Sequence, residues 1–174
     1  MFEIIDLSQE IFTGMPVFPG LPDVRVTVHL SHEELEGVTG GDVVSPAVNK
    51  LELGEHTGTH VDAINHMGRE YRGQSIDTMP LTTFYTEGVC LDLSDKGLME
   101  LIEVEDLERA ASGAGLEIKR GDTVLLYTDH YRRAFGTDDW HRGPGVSVEA
   151  ARWLGAKGVA AFGVEPAAPG VRGV

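Results

Sequence analysis

Cys90 is the only cysteine in the chain. No internal disulfide can form, which agrees with a reducing compartment. Cys90 sits in the apolar stretch GVCLDL and reads as a small buried side chain, not a nucleophile. Positive charge is scarce as well: 14 Lys and Arg stand against 28 Asp and Glu, a formal net charge of −14. No basic stripe forms, so no nucleic-acid partner is expected, because phosphate binding needs concentrated positive charge. Long apolar runs are missing too. None approaches the ~20 residues that cross a bilayer, so no membrane partner is expected. The N-terminus, MFEIIDLSQE, carries acids where a secretory signal has basic residues and then an apolar run. These absences together predict a cytoplasmic protein. Repeats, low-complexity segments and linkers are also lacking, so residues 1–174 are expected to form a single domain. That length is enough for a hydrophobic core without staples.

Periodicity outlines the elements. A short strand is expected around Phe2 to Asp6, followed by the Pro- and Gly-rich loop FTGMPVFPGLPD. Val24 to Leu30 alternates apolar and polar residues and predicts a half-buried strand with Val24, Val26, Val28 and Leu30 on one face. His29 and His32, near its end, read as solvated. Further strands are expected at Asn49 to Leu53, Val89 to Leu93, Thr123 to Tyr127 and Val159 to Val164. One helix is expected over Glu103 to Ser112, ended by Gly113, and another from an N-cap at Ser147 through Leu154. The closing strand–helix–strand order suggests a βαβ unit. The class is α/β with a mixed sheet.

The chemistry concentrates in HTGTHVDAINH, His56 to His66, with three histidines and one aspartate in eleven residues. Imidazole and carboxylate are the usual ligands at a hydrolytic metal site. His56, His60, Asp62 and His66 are separated by even numbers, so an extended chain projects the first three to one side. Gly58 stands between the histidines and leaves room for a metal or a substrate. A helical zinc-protease arrangement is disfavoured, because Thr57, Gly58 and Thr59 form helices poorly and no glutamate follows His56. Asp129, His130 and His141 lie in DHYRRAFGTDDWHRG, which reads as a solvated loop or as a pocket border.

The motif resembles the hallmark HxGTHxDxPxH of the cyclase family of metal-dependent hydrolases, which includes bacterial kynurenine formamidase and isatin hydrolase. It differs at one hallmark position, where Ile64 replaces proline. Met67, just beyond, replaces a frequent phenylalanine. IIDLSQEIFTGMPVFPG, GDTVLLYTDH and PGVSVEAARWLGAKGVAAFGVE are similar to the family's N-terminal, central and late segments. The resemblance implies the family's swivelling β/β/α fold, with a mixed sheet or barrel-like core flanked by helices. It implies that His56, His60 and Asp62 are metal ligands and that His66 is the general acid and base. Phe18 falls where the family places an aromatic residue beside the substrate.

Zinc (Zn2+) suits such ligands and manganese (Mn2+) is the alternative, with up to two ions in the family. The implied reaction is hydrolysis of an amide C–N bond in a small-molecule substrate. A metal lowers the pKa of bound water from ~15.7 towards ~7, and the resulting hydroxide attacks the carbonyl. An aryl formamide such as N-formylkynurenine is the first expectation and a cyclic amide or imide the second. A non-catalytic metal-binding member is the third. A homo-oligomer, dimer or tetramer, is implied, with residues Phe12 to Pro22 as a packing arm. The family pattern also continues past Val174 with a histidine and a glutamate that complete the metal shell. The chain is therefore expected to be C-terminally truncated relative to the family and weakly active, with Glu165 as the candidate substitute. The tail EPAAPGVRGV is expected to form neither strand nor helix.

Overall fold

The computed structural model describes residues 3–39 and 45–171. Phe2 and the last three residues of the tail lie outside them. The chain divides into two compact units, Met1–Asp62 and Ala63–Val174.

The first unit is built on an antiparallel ribbon of β1 (Arg25–Leu30) and β2 (Val48–Glu52), joined through α1 (His32–Thr39). Alternation places Val24, Val26 and Leu30 inward, but Val28 stays 67% exposed. The register shifts between Val28 and Leu30, and such a bulge breaks the strict two-residue period. The helix α1 was not expected. Its signal was the four-residue string SHEE: Ser31 Oγ accepts from Glu34 N, and Glu34 Oε2 accepts from Ser31 N, a reciprocal capping box. His29 and His32 are exposed as expected. The expected strand around Phe2 to Asp6 is not formed over residues 3–6. No strand pairs with it among the described residues, and Ile4 is left 92% exposed. The loop from Phe12 is no free arm. Gly14 N donates to Val24 O, Thr13 Oγ1 bonds the Val26 backbone in both directions, and Met15 is buried.

The second unit is α/β. Strands β3 (Gly88–Asp92), β5 (Thr123–Tyr127) and β7 (Ala161–Val164) form a parallel sheet in the order β3-β5-β7. Between β3 and β5 lie β4 (Leu101–Ile102) and α2 (Val104–Gly113). Between β5 and β7 lie α3 (His130–Ala134), β6 (Gly145–Val146) and α4 (Val148–Lys157). The pair β4–β6 is a second, short parallel ladder. Leu91, Leu93, Val124 and Leu126 from the sheet side close a core with Leu107 and Ala111 of α2 and Ala150 and Leu154 of α4. The helix caps follow the sequence: Ser147 Oγ accepts from Ala150 N, and Gly158 ends α4. The α/β class with parallel and antiparallel pairing and the closing βαβ unit are as expected.

Cys90 is not buried. The alternation of β3 puts Leu91 inward and Cys90 with Asp92 on the opposite face. Desolvation by its neighbours, then the carboxylates of Asp92 and Glu165, push the thiol above its ordinary range. It stays a poor nucleophile, because partial desolvation and then the nearby carboxylates disfavour its thiolate.

The tail forms neither strand nor helix over residues 165–171, yet it is fastened. Val146 N donates to Pro169 O. A Cβ on Gly145 would sit 2.5 Å from the carbonyl carbon of Gly170, so only glycine admits this backbone crossing.

Candidate metal centre

The motif is not an extended strand. After β2 the chain turns through residues 55–56 and bends at 58–59, with Gly58 at φ +63°. That left-handed angle is strained for any side chain, and a Cβ there would also press on Ile11 Cγ1 at 3.3 Å. The bend, rather than strand periodicity, brings the side chains together.

His56 Nδ1 lies 2.7 Å from Asp62 Oδ1, and His60 Nε2 lies 3.4 Å from the same oxygen. The two rings meet edge to face with centroids 5.3 Å apart. His60 Nδ1 donates to Gly58 O at 2.8 Å, which assigns the ring proton to Nδ1 and leaves a lone pair on Nε2. That lone pair then faces a carboxylate oxygen. Two acceptors in this position repel each other unless a cation or a proton stands between them. This donor set, two imidazoles on one carboxylate oxygen, fits a divalent ion of the zinc or manganese type. All three groups remain partly open to solvent.

His66 belongs to the second unit, where it is exposed on the 3-10 turn Ile64–Met67 and its N–H donates to Ala63 O. Phe18 is partly exposed in the first unit, at the start of a turn closed by Leu21 N donating to Phe18 O.

The segment after β5 is not a solvated loop. His130 is 1% exposed, stacks on Trp140 at 5.5 Å, and bonds Trp140 O through Nε2. It is a core histidine, while His141 is exposed. Glu165 is already engaged: Oε2 accepts from Thr128 N at 2.6 Å, Thr128 Oγ1 at 2.7 Å and His130 N at 3.3 Å. It ties the end of β7 to the end of β5. Asp129 takes a left-handed backbone, φ +58°, and accepts from the Tyr127 hydroxyl at 2.8 Å. That bond holds the phenol above its ordinary range.

Sequence reasoning missed Gln9. Its backbone N–H donates to Thr59 Oγ1 at 2.9 Å, fifty residues away, and no local pattern announces that contact.

The family model described as "Putative cyclase" matches residues 5–170. The chain belongs to the cyclase family. It is 26% identical over 164 residues to a kynurenine formamidase of Erythrobacter litoralis, covering 93% of this chain and 65% of that protein. A kynurenine formamidase of Salinibacter ruber is 33% identical over 91 residues, 52% of this chain and 39% of that protein. Among solved structures, isatin hydrolase A from Ralstonia solanacearum superposes with a TM-score of 0.80 at 28% identity, covering 96% of this chain and 68% of that one. The chain thus spans about two thirds or less of the length of the relatives it matches. Its cyclase-family fold runs through both units.

Proposed function

We propose that this chain is a metal-dependent hydrolase of an amide C–N bond. The observation that carries the reading is the pair of imidazoles facing one carboxylate oxygen in HTGTHVDAINH. His56, His60 and Asp62 hold the ion, zinc by preference with manganese as the alternative. When bound, the ion acidifies a water and polarises a carbonyl. The Gly58 carbonyl fixes the tautomer and orientation of His60. His66, closing the motif, takes a proton from the attacking water and returns it to the leaving nitrogen, a task for which imidazole has both an acceptor and a donor nitrogen. Phe18 offers an aromatic face to an aryl substrate.

The first substrate class is an aryl formamide of the N-formylkynurenine type, supported by the named kynurenine formamidases. The second is a cyclic amide, supported by the likeness to isatin hydrolase A. The family match through both units supports reading the chain as one catalytic domain, and the single cysteine supports a cytoplasmic setting.

The test is turnover of N-formylkynurenine and of isatin by the zinc- and manganese-loaded protein. His66→Ala is expected to abolish hydrolysis of the better substrate while the bound metal, counted by atomic absorption, stays nearly unchanged. Equal loss of metal and activity would make His66 a ligand. Metal bound without turnover of either compound would leave a non-catalytic metal-binding member.

The proposal includes a homo-oligomer, dimer or tetramer. The exposed apolar side chains Ile4, Ile5 and Leu7, with Val28 and Leu51 on the ribbon, are surface that self-association would cover. Light scattering at micromolar concentration is expected to give a multiple of 18.8 kDa, and a monomer mass would sink this part.

A further inference from the structure

We propose that residues 9–11 are a latch on the metal motif, and that Thr59 is the positioning residue through which the latch sets metal affinity. The proposal deepens the metal reading of His56, His60 and Asp62 and rests on it.

Both histidines of the triplet stand on one loop, and its two halves are held differently. Thr57 is buried. Thr59 and His60 are exposed, so close packing does not fix them. Gly58 precedes them at φ +63°, and glycine has more backbone freedom than any other residue. A bend of this kind needs an outside hold. Residues 9–11 supply it from fifty residues away: the Gln9 backbone N–H donates to Thr59 Oγ1 at 2.9 Å. Ile11 covers the bend itself, where a Cβ on Gly58 would meet Ile11 Cγ1 at 3.3 Å and Cδ1 at 3.7 Å. The segment is anchored in turn a few residues on, where Gly14 N donates to Val24 O and Thr13 Oγ1 bonds the Val26 backbone.

The geometry gives this hold a route to the metal. The Gly58 carbonyl and the Thr59 N–H belong to one planar peptide unit. Pinning Thr59 by its side chain limits rotation of that plane. The carbonyl oxygen accepts from His60 Nδ1 at 2.8 Å, and the ring then presents Nε2 3.4 Å from Asp62 Oδ1. A plane that turns takes the His60 ring with it, and Nε2 leaves the ligand set. Partners that orient a ligating histidine tune metal affinity by ~10- to 100-fold. Thr59 acts one step further out, so its effect falls at the lower end of that range. Coupling of this kind is reciprocal: the factor by which the closed latch raises metal affinity is the factor by which the metal favours closure.

The test compares two variants of the full chain. Thr59→Val keeps the shape of the side chain and removes the acceptor, while Thr59→Ser keeps the acceptor. Zinc affinity is titrated against a chromogenic chelator, and cobalt loading reads ligand geometry in the visible spectrum. Exchange of the Gln9 amide hydrogen is followed with and without zinc, and melting is recorded metal-free. Thr59→Val is expected to lose about tenfold in zinc affinity and to shift the cobalt bands, with Thr59→Ser near wild type in both. Zinc is expected to slow exchange at Gln9 by a comparable factor in wild type and not in Thr59→Val. Metal-free melting is expected to match in all three proteins, because an exposed side chain contributes little to global stability. Wild-type zinc affinity in Thr59→Val overturns the latch, as does an equal loss in Thr59→Ser or zinc-independent exchange at Gln9. Metal-free Thr59→Val melting well below wild type would make Thr59 a structural residue and overturn its positioning role. A wild type that binds no zinc removes the metal site and the latch together. Thr59-dependent zinc affinity without turnover of any amide keeps the latch and sinks only the hydrolase reading.

Discussion

Asp62→Asn is expected to weaken zinc binding by on the order of a hundredfold or more and to remove hydrolytic activity with it. Replacing groups that only support ligands costs ~10- to 100-fold, so loss of a direct ligand charge costs at least that. Both imidazoles face Oδ1 of this one side chain, at 2.7 and 3.4 Å. Asparagine keeps the size and one oxygen but removes the negative charge that offsets a divalent ion. Fold is separable from metal in this test. Asp62 is exposed and is not one of the buried core residues among those described. Circular dichroism should therefore match wild type while zinc titration, read with a chromogenic competitor, shows the loss. Wild-type affinity in Asp62→Asn would remove Asp62 from the site and the proposed function with it.

Lys96→Ala is expected to cost about 3 kcal/mol of stability, because breaking a buried ion pair leaves its partner uncompensated. The Lys96 side chain is only 8% exposed, and its ammonium lies 2.6 Å from Asp106, 3.1 Å from Glu100 and 3.0 Å from Leu101 O. Asp106 also accepts from Glu103 N at the start of α2 and from Arg109. Partial burial pushes the Asp106 carboxyl up, but the bonds from Lys96, Glu103 N and Arg109 outweigh it and hold the group down at about 2.

The pH dependence follows from that direction. The folded carboxyl titrates below its ordinary 3.8, so its contribution is complete above that value and is lost as pH falls towards about 2. The contribution is about 2 kcal/mol on that shift. Urea midpoints are expected to drop between pH 4 and pH 2 in wild type and to drop less in Asp106→Asn. Equal pH slopes in the two proteins would show that other carboxylates govern acid unfolding.

The parts of this molecule that were legible in the sequence depend on near neighbours. Thr123 to Tyr127 is strand β5 to the residue, and α4 begins after Ser147 as its capping chemistry demands. HTGTHVDAINH was legible for a similar reason: ligand-type residues within seven positions stay within reach of one another whatever the local backbone. The route was misread. Even spacing on an extended chain was the expected cause, and a left-handed bend at Gly58 is the actual one. SHEE was legible in principle as a capping box and passed unread.

Other positions took their state from partners far along the chain. Residues 3–6 carry strand-like composition, but a strand exists only where another supplies its hydrogen bonds, and none does among the described residues. Cys90 and Leu91 share one apolar run. Which of them is buried depended on the face of β3 that α2 and α4 cover. His130 looked polar and solvated until Trp140 stacked on it, and Glu165 looked like a spare ligand until Thr128 and His130 took one of its oxygens. Gln9 reached the metal motif only when residues 9–11 crossed Gly58. Spacing and residue type therefore sufficed for the α/β class, for elements such as β5 and α4, and for a cluster of ligand-type side chains, because covalent connection alone keeps those groups close. Burial and the roles of Glu165 and His130 required the folded chain, because each arises from a contact that chain order does not encode.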